Sequence, residues 1–280
     1  MFSRIPWSKP LLLALVAALV GGIVPATARA QVQVGPCTGV EIQPGDDVQS
    51  VLSAMPRDVT FCFKPGTYYL SSALKPKQGQ QLIGEPGVVL DGSHAAGQIT
   101  GIDNSASGVT VRNMEIRNFT VGVQGASGWT IEDNDIHHNS MEGARLSHET
   151  LFRRNHTHHN TRAGVHGWGR NIRVINNEID NNQSDTTRCS QKFVWTEYLV
   201  FRFNYVHDNR CPAVWADISS YRPLIARNRV ENNRGPGIDC EISYNCIIRF
   251  NKVRNNGAGI IVSSTPNARV YGNTVTGNGE

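Results

Sequence analysis

Apolar and polar residues alternate along short runs such as Gly237-Ile238-Asp239-Cys240-Glu241-Ile242. That period of two places successive side chains on opposite faces of a strand. Between the runs an N-x-[I/V/T]-x-x-N element recurs, as Asn134/Ile136/Asn139, Asn155/Thr157/Asn160, Asn177/Ile179/Asn182, Asn204/Val206/Asn209, Asn228/Val230/Asn233, Asn251/Val253/Asn256 and Asn273/Val275/Asn278. Successive first asparagines are 21, 22, 27, 24, 23 and 22 residues apart. A period of this size marks stacked units, each too small to bury a core by itself. Helical solenoids need longer apolar stripes and accommodate so much Asn and Gly poorly. The pattern therefore predicts an all-β protein, a single-stranded right-handed parallel β-helix of about nine or ten coils. Equivalent residues of neighbouring coils would stack about 4.8 Å apart. The asparagines suit the bends, since Asn tolerates left-handed backbone and its amide can bond peptide groups of the coils above and below.

Upstream of the repeats, Asp46-Asp47 followed by Val48, Val51 and Leu52 reads as a short N-capped helix that covers the open end of the solenoid and its first strand edge. Residues 1–30 are of another kind. Arg4 and Lys9 precede an apolar run from Leu11 to Val20, and Ala28-Arg29-Ala30 supplies small residues for signal peptidase. The run is short for a bilayer span, so the expectation is a cleaved signal peptide, a mature chain from near Gln31, no stable membrane insertion, and an extracellular or periplasmic location. The domain plan is then residues 1–30 signal peptide, 31–65 N-terminal cap and first strand, and 66–280 β-helix. Asn278 stands two residues before Glu280, with no cap for the final coil. This predicts a monomer unless that edge is paired, with a truncated sequence or a partner at that end.

With 39% hydrophobic and 18% charged residues among 280, the chain is neither wholly disordered nor a multi-span membrane protein. The formal charge of +4 includes Arg4, Lys9 and Arg29; without them 27 − 3 basic against 23 acidic residues leaves +1. Bulk attraction to nucleic acid is therefore weak, and no nucleic-acid partner is expected. Six cysteines in an exported chain can pair. Cys37 and Cys62 bracket the cap and could staple it to the first coil; Cys189, in the insertion that lengthens one coil to 27 residues, and Cys211, after the corresponding bend of the next, are the second expected pair. For Cys240 and Cys246 a buried thiol and a third bond are both open.

Together with the repeats, Phe63-Lys64-Pro65-Gly66-Thr67-Tyr68 and Ile83-Gly84-Glu85-Pro86-Gly87-Val88-Val89-Leu90-Asp91-Gly92 give the chain its resemblance to the pectin-lyase-like right-handed β-helix superfamily of secreted proteins. The resemblance covers nearly the whole mature chain. It implies the fold strongly and the reaction weakly, because the superfamily holds lyases, epimerases, hydrolases and non-catalytic adhesins.

Carrying the register back from each Asn puts Ile238, Cys240 and Ile242 inward, with Asp239 and Glu241 outward. Val214, Ala216 and Ile218 of the preceding coil then face in, leaving Trp215 and Asp217 outside. Two outward columns follow: Arg145, His166, Gln191, Trp215, Asp239 and, beside it, Ser147, Trp168, Lys192, Asp217, Glu241. Aromatic faces can stack on sugars, and charges about 5 Å apart shift each other's pKa, so the expected partner is a polysaccharide.

Three readings fit this strip. In β-elimination or epimerisation of a uronic-acid polymer, Lys192 or His166 is the base and Arg145 or a metal neutralises the carboxylate. Asp217, Asp239 and Glu241 could hold Ca²⁺ for that purpose, an arrangement that looks like the calcium-dependent lyases of the superfamily, although their Arg-His-Gly element is not recognisable. In glycoside hydrolysis Asp217 and Glu241 are the carboxylate pair. A non-catalytic carbohydrate-binding or surface protein would use Trp168 and Trp215 as platforms. At another bend His137 and His138 should lie over His158 and His159, an arrangement that suits either an ordinary polar corner or a Zn²⁺, Cu²⁺ or Ni²⁺ site.

Overall fold

Strands of three to eight residues wind into three parallel sheets in the computed structural model, which describes residues 36–183 and 191–279. Among those residues the sheets contain 11, 10 and 8 strands, and every pairing between strands is parallel. The architecture is the all-β right-handed parallel β-helix with one short N-terminal helix. Residues 1–30, expected from the sequence to be a signal peptide, lie outside the described residues, and so does Cys189.

The core is a set of vertical stacks. In the first sheet Leu82, Val111, Ile131, Phe152, Val174, Phe201, Ile225 and Ile248 lie in register, all fully buried. In the second, Leu90, Ile116, Ile136, Thr157, Ile179, Val206, Val230 and Val253 do the same. Their alternation with mostly half-buried neighbours is the period-two pattern of the sequence. Burying such stacks is what stabilises coils that have no core singly.

The asparagines form two buried ladders. Asn155 Nδ2 donates to the Ile131 carbonyl at 2.9 Å and to Asn177 Oδ1 at 3.2 Å, while Asn155 N also donates to Asn177 Oδ1, at 2.9 Å. The second ladder repeats the geometry: Asn160 Nδ2 donates to the Ile136 carbonyl at 3.2 Å and to Asn182 Oδ1 at 3.0 Å. Left-handed backbone falls elsewhere than expected. The residue before each ladder position has positive φ: Asp133, Arg154, Asn176, Phe203, Arg227 and Phe250 along the first ladder, and His138, His159, Asn181, Asp208, Asn232 and Asn255 along the second. The ladder Asn is thus retained for its amide, and the bend is forced on whatever precedes it, even Phe or Arg.

The predicted helix spans Val48–Ala54, with Asp47 as its N-cap accepting from Ser50 N, and it buries Val48 and Leu52. Gln80 Nε2 holds its end by donating to the carbonyls of Leu52 and Pro56 at 3.2 and 2.9 Å. Cys37 and Cys62 are joined, with Cα atoms 5.7 Å apart. Replacing Cys37 by Ser, and Cys62 with it, should lower stability by about 3 kcal/mol, since the bond closes a loop of 25 residues. A guanidinium titration of both proteins checks this, an unchanged midpoint counting against it. Cys240 is bonded to Cys246. Cys211 is a disulfide cysteine too.

Candidate functional site

Five of the eight strands of the third sheet carry the candidate strip on their outward face: Glu142–Leu146, Ala163–Arg170, Lys192–Glu197, Val214–Asp217 and Pro236–Glu241. Arg145 lies beside His166, Lys192 beside Trp215, and Trp215 beside Asp239. Because Gly167 pairs with Phe193, Lys192 occupies the His166 position of its coil, and Gln191 turns inward. This corrects the expected columns. Gln191 is buried and its Oε1 accepts from Gly164 N and Val165 N.

The cause is a bulge. Trp168 pairs with Val194 but Gly169 with Thr196, so Trp195 is an extra residue, held at φ +50° and 62% exposed. Ile218 and Ile242, read as inward, occupy the same corner at φ +40° and +45° and are also exposed. Each donates or accepts between coils there: Trp195 N to the Ile218 carbonyl, Ser219 N to the Ile242 carbonyl. Tyr198, Tyr221 and Tyr244 stand exposed next to them. An apolar and aromatic ledge therefore flanks the acidic column, and no part of it was read from the sequence. A run of β-branched and aromatic residues at a strand end looks like core until its φ values are known.

Lys192 Nζ reaches diagonally to Asp217 Oδ2 at 2.6 Å and lies 3.6 Å from the centroid of the Trp215 ring. The predicted pair of Lys192 and Asp217 is thus brought together by side-chain reach and not by register. Asp217 is buried, its Oδ1 accepting from Ile218 N at 2.6 Å. Glu241 lies one coil beyond it, since Trp215 and Ala216 pair with Asp239 and Cys240. The ammonium occupies one face of Trp215, which is therefore not the open platform expected. Trp168 packs edge-on against His166 with centroids 6.0 Å apart. Arg145 is held by Glu142, Nη2 to Oε2 at 2.8 Å.

Asp239 is the most perturbed acid of the strip. Burial, with Glu241 and Asp217 nearby, pushes its carboxyl up to about 6 despite the Lys192 charge. Its Oδ1 is buried without a hydrogen-bond partner in the protein, as is Trp215 Nε1 in the same column. Burial also holds the His166 imidazole below its ordinary value; the charges of Arg145 and Lys192 act in the same direction, against Glu142. Neutral imidazole and a carboxyl near pH 6 are both competent to move protons around neutrality. Asp217, Asp239 and Glu241 are not among the sets of three ligand atoms that lie within 4.8 Å of one another in the described residues.

The sequence profile of the right handed beta helix region matches residues 87–275. The chain belongs to the right-handed β-helix family. Solved structures of the same shape include the A-module of the mannuronan C-5 epimerase AlgE4 of Azotobacter vinelandii, 17% identical, with a TM-score of 0.65 over 82% of this chain and 83% of that one. The pectate lyase Pel9A is 15% identical, with a TM-score of 0.52 over 85% and 80%. A mutant of the PL6 family alginate lyase AlyGC is 12% identical, with a TM-score of 0.52 over 80% and 40%. No curated protein sequence matches the chain. This β-helix is thus structurally related to polysaccharide lyases and epimerases, and at such identities the likeness concerns the fold. Among the described residues no helix is long and apolar enough to cross a membrane.

Proposed function

We propose that this is an exported polysaccharide-active β-helix protein that works on a uronic-acid polymer by proton transfer, as a lyase or epimerase. The observation that carries the reading is the column Lys192, Trp215, Asp239. It sets a cation, a buried indole N–H and a buried carboxyl oxygen, the last two unpartnered, on one outward face of a rigid sheet. Lys192 can spare a donor for the substrate carboxylate while keeping Asp217, which lowers the cost of the carbanionic transition state. Asp239 and His166 are the proton-transfer groups, and the ledge of Trp195 and Tyr198 gives sugar rings a surface to stack on. Mannuronan, pectate and alginate, the polymers named for the structural neighbours, are all uronic-acid chains.

In a metal-dependent variant of this reading Asp217, Asp239 and Glu241 would instead hold Ca²⁺, which would supply positive charge for the substrate carboxylate and leave proton transfer to His166. Hydrolysis by Asp217 and Glu241 is the second reading, favoured by their adjacency across one pair of coils. Non-catalytic binding is the third.

The test is incubation with alginate, pectate, glycosaminoglycans and neutral glycans, with and without chelator. Rising ultraviolet absorbance from unsaturated ends is expected, or, for an epimerase, a changed uronate composition in the NMR spectrum. Lys192→Met should lower kcat/KM on the responsive polymer by about 10²-fold or more, consistent with loss of one charge-stabilising donor. New reducing ends without unsaturation would favour hydrolysis, and binding without products would reduce the strip to a recognition surface.

A further inference from the structure

The second sheet carries a cluster unrelated to that strip. Its outward columns pair Asp135 with His156 and, alongside, His137 with His158, His158 with Asp180 and Asp180 with His207. As the sequence predicted, the His137 ring stacks on His158 with centroids 4.8 Å apart, and His138 on His159 at 5.3 Å. The metal-ligand geometry, however, lies elsewhere. One ligand atom each from Asp135, His156 and His158 fall within 4.8 Å of one another.

Asp135 Oδ1 is 2.9 Å from His158 Nε2 and 3.6 Å from His156 Nδ1. Ligands at 2.0–2.1 Å in tetrahedral array around an ion of the zinc type sit roughly 3.4 Å apart, so these spacings bracket the requirement. Each imidazole is also held from its far side. His156 Nε2 lies 2.6 Å from Asp180 Oδ1, and Asp180 Oδ2 in turn accepts from Asn181 Nδ2 at 2.6 Å. His158 Nδ1 lies 2.7 Å from His159 Nδ1. An acceptor on the second ring nitrogen fixes the tautomer that leaves the first one bare for a metal, and carboxylate behind imidazole is the usual support of such ligands.

We propose that Asp135, His156 and His158 bind one divalent transition-metal ion of the zinc type, with Asp180 and His159 as the groups that orient the two imidazoles. All three ligands are only partly buried, so solvent or another donor can complete the coordination. Two nitrogens and one oxygen suit zinc, nickel or copper over calcium, whose ligands are oxygens. The site stands apart from the polysaccharide strip, which belongs to the third sheet.

The experiment is calorimetric titration of the tag-free full chain with ZnCl₂ near pH 7.5, without polysaccharide. One ion per chain is expected. His158→Ala and Asp135→Asn should each weaken binding by about 100-fold or more, and so should His156→Ala. His156→Gln keeps a hydrogen-bonding amide towards Asp180 and guards against a folding defect, which circular dichroism would show. Asp180→Asn should leave the stoichiometry at one and cost about 10- to 100-fold in affinity, because it removes support and not a ligand. His137→Ala should bind as the wild type does. Absence of stoichiometric zinc binding would overturn the proposal. So would full binding in the folded His156→Gln protein, a loss confined to His138→Ala and His159→Ala, or CaCl₂ binding at the same residues as tightly as zinc.

Discussion

Asp239→Asn is expected to cut turnover of the responsive polymer by about 10²–10⁴-fold, the range spanned by general acid–base groups, in a protein that remains folded. In the wild type kcat/KM should rise with pH through an acid limb centred on about 6, where Asp239 loses its proton, and the residual activity of the variant should lack that limb. The same substitution has an opposite effect on stability. The ordinary value for this carboxyl is 3.8 and the folded value about 6, so between those pH values the folded chain binds more protons than the unfolded one. The stability associated with Asp239 is therefore fully present below about pH 4, declines as pH rises through 6, and stays lost above 7. Asn has no proton to lose. Relative to wild type, Asp239→Asn should gain up to about 2–3 kcal/mol on going from pH 4 to pH 7.5, read from urea midpoints at the two pH values. A difference between the two proteins that does not change with pH would mean that the carboxyl is not held in a charge-averse site. Loss of activity with a gain in stability is hard to obtain from misfolding.

Asn177→Ala should destabilise the solenoid by about 3–5 kcal/mol, more than any comparable change on its surface. The side chain is buried in mid-ladder. Its Oδ1 accepts from Asn155 N at 2.9 Å and Asn155 Nδ2 at 3.2 Å, and its Nδ2 donates to the Phe152 carbonyl at 3.0 Å and to Asn204 Oδ1 at 2.9 Å. Alanine leaves polar groups of two adjacent coils unpaired, each costing about 1–3 kcal/mol where water cannot replace the lost partner. Asn273, in the last coil of the same ladder, is only partly buried. Asn273→Ala should cost about 1 kcal/mol, because solvent reaches what it leaves behind. Equal urea midpoints for the two variants would refute the view that the ladder acts through buried amide pairing.

The contrast between Lys192 and Asp217 shows where reading by periodicity stops. Counted forward from the preceding first-ladder Asn, Asp217 and Glu241 both stand 13 residues on and Trp215 and Asp239 both 11, which is the pairing that the strands adopt. Lys192 belongs to the coil of 27 residues, and there Trp195 bulges out and moves everything before it by one position. A shift of one residue exchanges the two faces of a strand. That is why Gln191 is buried and Lys192 shares a column with Trp215. Ile218 and Ile242 failed for a related reason, since apolar character does not reveal that a corner with positive φ has turned a side chain towards solvent. In the second sheet the stacked imidazoles were legible from the repeat, whereas the proposed ligand set needed His156, which no pair of adjacent histidines announces.

The winding is written in the repeat: each asparagine amide must find its partners in neighbouring coils, so the repeat length sets the coil and the alternation within it sets the core. Tertiary structure alone decided which charges met. Long side chains such as Lys192 cross between columns, and the proton affinity of Asp239 depends on burial and on acids from two coils, neither of which is a property of any local stretch of chain.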